Sequence, residues 1–308
     1  MFDIGALLQT EFGIGPVEVQ DSGTGQATTR RYVLRSPDGK WIAKHYGEYF
    51  RDKVEWVRFE CELLTLLAAQ GQSVARNVAT ISGDPFTLVD GTPLVVYEWA
   101  EGGIEWPASS QNSGALGAAL ARMHLASEGL SLSGTERIYD VDRLIDRPLA
   151  LLKPYSDPNA HKRLASLSEK IKTAIGAIPT VTPFFGPIHG DIHQGNCHFQ
   201  EDGRLAIFDF ALSGVGYRAY DLTGFLWPMR DATIEDPAMR VCCEAFLVGY
   251  ESVRELASAE RAAISAFVQV RSLWESGDWV DAGSGRDQPE EVAKAAPYLV
   301  RQMDASLD

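Results

Sequence analysis

No stretch of this chain is long and apolar enough to cross a bilayer. Leu63 to Ala69 is broken by Thr65, and Leu94-Val95-Val96 runs into Tyr97 and Glu98, whereas a span needs ~18–20 apolar residues. The opening Met1-Phe2-Asp3-Ile4-Gly5 has no basic segment, so no secretory signal is expected and the protein is read as cytoplasmic. Cysteine is scarce: Cys61, Cys197, Cys242 and Cys243 form no C-x-x-C pair and no Cys/His run with zinc spacing, so packed, reduced thiols are expected. Positive charge is in deficit, with 28 Lys plus Arg against 42 Asp plus Glu and a net charge of −14. Such a chain repels phosphate backbones and anionic membranes, which argues against general nucleic-acid or membrane binding. A nucleotide remains compatible if a few cations and a metal are focused at one site.

Internal repeats and low-complexity tracts are missing too. A hydrophobic fraction of 45% over 308 residues excludes a mainly disordered chain and suits about two domains or one two-lobed unit. Residues Arg30–Arg35 and Lys40–Tyr46 read as a strand pair around the Pro37-Asp38-Gly39 turn. Val54 to Gln70 carries Val54, Val57, Cys61, Leu64, Leu67 and Ala68 at helical spacing, with Gly71 as a stop. Phe86–Val89 and Pro93–Glu98 form a second hairpin over Asp90-Gly91.

Beyond Glu98 the pattern becomes helical. Ser113 is placed as the cap of a helix to Ser127, with Leu116, Leu120, Met123 and His124 on one stripe. A further helix is expected over Pro158 to Ile178, then short strands at Cys197–Gln200 and Arg204–Phe208. Helices follow, with breaks near Pro228, Asp236-Pro237, Ala257 and Gly283 to Pro289. The expected architecture is α+β: a β-rich N-terminal lobe over 1–98, a larger helical lobe over 99–308, and a hinge at Tyr97 to Gly103.

The informative segment is His189-Gly190-Asp191-Ile192-His193-Gln194-Gly195-Asn196, followed after strand Leu205–Phe208 by Asp209-Phe210-Ala211. The kinase pattern is H-R-D-L-x-x-x-N and then D-F-G; here Gly190 replaces the Arg and Ala211 the last Gly. Phosphoryl transfer to an alcohol uses a carboxylate beside the attacking hydroxyl and a hard divalent cation on the phosphates. Asp191 is the candidate base. Asn196 and Asp209 supply the oxygen ligands that Mg2+ prefers. Lys44, in a strand flanked by Ile42, Ala43 and Tyr46, matches the lysine that neutralises ATP phosphates. Gly23-Thr24-Gly25-Gln26 reads either as half of a glycine-rich phosphate loop or as an ordinary turn.

Ile188 to Trp227 resembles the aminoglycoside phosphotransferase and choline kinase superfamily, in the branch with type II homoserine kinases and a bacterial stress-response Ser/Thr kinase. The resemblance is specific around His189 to Asp221 and extends weakly over nearly the whole chain. It implies a two-lobed protein-kinase-like fold, ATP and Mg2+ as cofactors, Asp191 as base, and Asn196 and Asp209 as metal ligands. It further implies that Glu60, rather than Glu62, orients Lys44, and that the backbone of Glu98, Trp99 and Ala100 meets the adenine. Ala211 departs from the Asp or Gly common in the family and removes an auxiliary acid. Asp221 resembles an aspartate that holds the catalytic loop; it reads equally as a plain helix-start carboxylate. His189 is expected to anchor that loop, His193 to pack or hydrogen-bond within it, and His124 to be a core histidine.

The expected activity is ATP-dependent phosphorylation of a small-molecule hydroxyl, an amine-bearing alcohol being one candidate acceptor. A Ser/Thr protein kinase and an inactive nucleotide-binding pseudokinase are the rivals. The intact Lys44, Asp191, Asn196 and Asp209 argue against the pseudokinase. The lack of an A-P-E segment, with Tyr217 to Trp227 turning quickly into helix, favours a small acceptor. Trp274, Glu275, Asp278 and Trp279 interleave rings with carboxylates, which can hold a cation; the alternative is two core tryptophans with solvated acids outside.

Overall fold

The computed structural model describes residues 3–24, 29–130, 132–133, 137–230 and 236–307. Helix α1 (Ile4–Phe12) starts at Asp3, whose carboxylate accepts from the Ala6 N–H. An antiparallel sheet follows: β1 (Glu18–Thr24), β2 (Arg30–Ser36) and β3 (Gly39–His45). Helix α2 (Val54–Ala69) comes next, and β4 (Asn77–Val78), β5 (Thr87–Val89) and β6 (Thr92–Glu98) complete the sheet in the order β1-β2-β3-β6-β4, with β5 also on β6. The sheet buries Leu34, Ala43, Leu94 and Val96 against Leu8 and Phe12 of α1. Helix α1 and strands β1 and β4 were not foreseen from sequence, since each is short or weakly patterned.

The segment after β6 is tied to the rest by reciprocal backbone hydrogen bonds between Gly103 and Phe199, 3.1 and 2.8 Å. Helix α3 (Ser110–Ala126) is capped by Ser109, which accepts from the Asn112 N–H; Ser113 lies inside it, buried, and donates to the Ser109 carbonyl. This corrects the expected start: four more residues reach helical geometry because Ser109 satisfies the end. Next come β7 (Ile138–Tyr139), α4 (Arg147–Leu152) and α5 (Pro158–Ile175), the last ending three residues before the expected Ile178. The catalytic-loop region is framed by β8 (Phe185–Ile188), the antiparallel pair β9 (Cys197–Phe199) and β10 (Leu205–Ile207), and β11 (Gly214–Tyr217), which lies between β7 and β8. Helices α6 (Arg218–Asp221), α7 (Thr223–Leu226), α8 (Pro237–Glu251), α9 (Ser258–Asp281), α10 (Pro289–Ala293) and α11 (Ala295–Leu307) complete the chain.

Two glycines set the spacing of α3 on α8. A Cβ on Gly117 would strike the Phe246 carbonyl, and one on Gly249 would strike the Gly114 carbonyl. One apolar cluster joins Leu64 and Leu67 of α2 to Leu116 and Leu120 of α3, Phe246 of α8 and Ile192 of the catalytic loop, so the loop is packed from both lobes. All four cysteines are buried and free. No helix among the described residues is long and apolar enough to cross a membrane.

Candidate active site

The His189-Gly190-Asp191 loop leaves β8 and is held from beneath. The fully buried Asp221 accepts from the N–H groups of His189 and Gly190, at 2.8 and 2.7 Å. Its other neighbour is His124, whose Nε2 lies 3.0 Å away while Nδ1 meets the Tyr250 hydroxyl at 2.8 Å. Burial pushes the His124 imidazole down to about 4, so the neutral ring donates to Asp221 and accepts from Tyr250. Of the two readings of Asp221, the loop anchor is the one the structure displays. Gly190 cannot be replaced by a side chain: its φ is +82°, and a Cβ there would strike the Leu212 carbonyl. This explains why glycine stands where kinases carry arginine.

His189 is buried and spans the loop. Its Nδ1 accepts from the Asp191 N–H at 3.1 Å, and Nε2 donates to the Phe208 carbonyl at 3.1 Å. His193 accepts from the Gly195 N–H and puts Nε2 3.6 Å from Asp191. Asn196 donates from Nδ2 to the Asp191 carbonyl at 3.0 Å and to its carboxylate at 3.3 Å. Arg271, deep in α9, donates to Asp191 Oδ1 at 2.5 Å and to the Gly190 carbonyl at 2.7 Å; its Nε is held by Glu275 at 2.7 Å. Burial raises the Asp191 carboxyl, but His193 and Arg271 outweigh it and hold the group well below the usual carboxylate range.

Asp209 follows β10 in a left-handed conformation, φ 64° and ψ 60°, one of two non-glycine residues among those described with positive φ. Strain of this kind concentrates where a side chain must be aimed. Its carboxylate receives Lys44 Nζ at 2.6 Å on Oδ1 and Arg31 Nη2 at 3.0 Å on Oδ2. Burial opposes the charge, yet Lys44 and Arg31 keep its pKa lowered. Ala211 packs against the core, and its carbonyl accepts from Arg137.

The expected Lys44–Glu60 pair is absent among the described residues. Glu60 is buried, accepting from the hydroxyls of Tyr46 at 2.5 Å and Tyr97 at 2.7 Å. Two phenols satisfy this carboxylate, and Lys44 turns to Asp209 instead. Both side chains still line one cavity of about 320 Å³ between the lobes. Its walls include Ile42, Leu64, Ala75 and Tyr97, with Glu98, Trp99 and Ala100 at one edge and Asn196 and Asp209 opposite. His198 donates to the Ala100 carbonyl at 2.6 Å, and Lys40 lies over the Trp99 ring at 3.1 Å. Gly23, with φ +88°, sits near the end of β1 beside an irregular register with β2; Gly25 lies outside the described residues.

The four candidate residues of the Trp274–Trp279 segment differ in their surroundings. Trp274 is 5% exposed and packs on Tyr139; Trp279 packs on the same core. Glu275 is committed to Arg271. Asp278, with Trp274, lines a small second cleft between α4 and α9 together with Arg143 and Arg147. Burial raises the Asp278 carboxyl, opposed by Arg137. Helical spacing puts Arg271, Trp274, Glu275 and Asp278 on one side of α9; Trp274 is buried against Tyr139 and still borders the cleft with Asp278. Arg31, Arg137, Arg143 and Arg271 escaped the sequence reading, for isolated arginines on ordinary strands and helices carry no spacing signal.

Comparison with known proteins agrees with this geometry. A homoserine kinase of Janthinobacterium sp. (strain Marseille) is 27% identical over 244 residues, covering 76% of this chain and 73% of the relative. Among solved structures, a microcompartment-associated aminopropanol kinase superposes with a TM-score of 0.76 at 17% identity, over 99% of this chain and 97% of that one. An amicoumacin kinase in complex with AMP-PNP, Ca2+ and Ami gives 0.74 at 20% identity, over 98% and 94%. These likenesses show the two-lobed kinase-like fold. The family model described as the phosphotransferase enzyme family, APH, matches residues 23–256, and with three quarters of its length inside that model the chain belongs to this family.

Proposed function

We propose that the protein transfers the γ-phosphoryl group of ATP to the hydroxyl of a small amine-bearing alcohol. The observation that carries the reading is that Lys44, Asn196 and Asp209 line one interlobe cavity, with Asp191 joined to it through Asn196. The apolar walls suit an adenine, and the Ala100 N–H, which has no partner among the described residues, is available to it at the edge.

The donor set fits Mg2+. Asn196 spends its Nδ2 on Asp191, and its amide oxygen has no partner among the described residues; Asp209 already attracts two cations. Mg2+ takes few protein ligands and completes its shell with phosphate oxygens and water. When bound, it would neutralise charge on the phosphates. The chain's own groups do the rest. Lys44 holds the phosphates, and Asp191 accepts the hydroxyl proton as the acceptor oxygen bonds to the γ-phosphorus and the bond to ADP breaks. A carboxylate held this acidic is a weak base, which suffices because the transition state is loose and the proton leaves late. Asp191→Ala should lower kcat by about 10²–10⁴-fold with ATP affinity retained.

The acceptor reading rests on the cleft beside α9. Asp278 has no hydrogen bond or ion pair from its carboxylate among the described residues, and Arg143, over the Trp56 ring at 5.2 Å, has no anionic partner. An ammonium group suits Asp278, and an acceptor that also bears a carboxylate would engage Arg143. The relatives named above as homoserine kinase and aminopropanol kinase are named for amine-bearing alcohols. Past β11 the chain enters α6 at once, leaving no long segment to cradle a polypeptide. ATP turnover with homoserine, aminopropanol, glycerol and a generic protein tests this. Amine-bearing alcohols should lead, and Asp278→Asn should weaken that preference. Equal use of glycerol, or phosphorylation of the protein alone, would remove the amine reading.

A further inference from the structure

We propose that Arg31 is a phosphate-binding residue of the nucleotide site, parked on Asp209 in the ligand-free protein and transferred to the β- and γ-phosphates when nucleotide and metal enter. The inference rests on the nucleotide reading above and adds a residue to it.

Arg31 of β2 and Lys44 of β3 are direct cross-strand partners. Partners of this kind project from the same face of a sheet. Both reach across to the same carboxylate: Lys44 takes Oδ1 of Asp209 and Arg31 takes Oδ2. Each oxygen of a candidate metal ligand therefore already meets a cation. A metal on Asp209 competes with them for the same negative charge and repels both.

The two cations differ in freedom. The Lys44 side chain is only 7% exposed, whereas that of Arg31 is 44% exposed. Arg31 has no other hydrogen-bond acceptor among the described residues. Its displacement breaks one exposed ion pair, a small loss, while Lys44 is buried and held at 2.6 Å, with little room to swing away from Asp209. Arg31 is therefore the partner that leaves.

Where it goes follows from charge and shape. The protein is strongly acidic, Asp209 lines the cavity, and Asp191 lies next to it, hydrogen-bonded to Asn196. Among the described residues lining the cavity, Arg31 and Lys44 are the permanent cations. A planar guanidinium fork matches two phosphate oxygens. Counter-ion to Asp209 in one state and phosphate clamp in the other, Arg31 spares the empty site an uncompensated carboxylate and the filled site an uncompensated phosphate.

The test is equilibrium binding of adenosine, ADP and ATP to wild type, Arg31→Ala and Arg31→Lys, with Mg2+ and without it. Loss of one charge-assisted contact should weaken Mg2+·ATP binding to Arg31→Ala by about 10–100-fold. Adenosine affinity should stay within about twofold of wild type, which also reports an intact fold. Arg31→Lys should lie between, keeping the charge without the fork. Unchanged or tighter Mg2+·ATP binding by Arg31→Ala would make Arg31 only the counter-ion of Asp209 and overturn the proposal. An equal loss for adenosine and ATP would mean a disturbed sheet and overturn it as well. If the wild type fails to bind Mg2+·ATP, the nucleotide reading falls with it; if the wild type binds and the variant binds alike, only the Arg31 role falls.

Discussion

Arg271 and Asp191, 80 residues apart, are joined by a 2.5 Å ion pair, and the same guanidinium holds the Gly190 carbonyl. The long helix α9 thus fixes both the rotamer of the candidate base and the backbone that carries it. Glu275, one turn further on, fixes the arginine in turn.

Removing that arginine should be visible in the pH profile. Arg271→Gln takes away one of the charges that depress Asp191, so the acidic limb of kcat/KM should move to higher pH. Arg271→Lys should move it less. Identical acidic limbs in all three proteins, with activity lost, would leave Arg271 a purely structural residue.

Glu60 is expected to matter first for stability. Glu60→Ala leaves the buried Tyr46 and Tyr97 hydroxyls without their acceptor, a cost of about 1–3 kcal/mol. Urea unfolding should show a lower midpoint with an unchanged slope. In the nucleotide-free protein, Lys44→Ala and Glu60→Ala should be nearly additive in stability, since the two side chains do not meet; a coupling above about 0.5 kcal/mol would contradict this.

His124 makes stability depend on pH. Its folded pKa, about 4, lies below the ~6.5 of a free imidazole. Between these values the unfolded chain binds a proton that the folded one does not, so this contribution rises with pH and is lost as pH falls from about 6.5 to 4. The full effect is on the order of 3 kcal/mol. Glu275 and Asp278, both raised by burial, oppose the trend, so the comparison is with His124→Gln, in which they are kept. The difference in unfolding free energy between the two proteins should shrink from pH 7 to pH 4. A constant difference would show that His124 is not buried as the neutral ring.

Gly249→Ala should loosen the α3–α8 contact, because its new methyl meets the Gly114 backbone. Backbone cannot rotate away as a side chain does, so a loss of about 1–3 kcal/mol is expected. Thermal unfolding checks it: a melting temperature equal to wild type would mean that the helices separate without cost.

The sequence alone determined that Asp191, Asn196 and Asp209 belong to one chemical unit. Their loop spacing is local, and local spacing survives in one dimension. The same holds for Lys44 in its apolar strand, and for α2, whose periodic apolar face extends over four turns. What each charged group touches was decided only by the tertiary structure. Glu60 stands on the helix where a lysine partner is expected, but Tyr46 and Tyr97 reach it first. Trp274 and Asp278 share one side of α9, yet only the packing of α4 and Tyr139 decides that the ring is buried while the carboxylate borders a cleft. Arg31 and Arg271 look like any arginines on a strand and a helix; they become partners of Asp209 and Asp191 because the fold brings β2 and α9 to these carboxylates across 178 and 80 residues. An ion pair depends on distance in space, and nothing in the order of residues along a chain encodes that distance until the fold has closed.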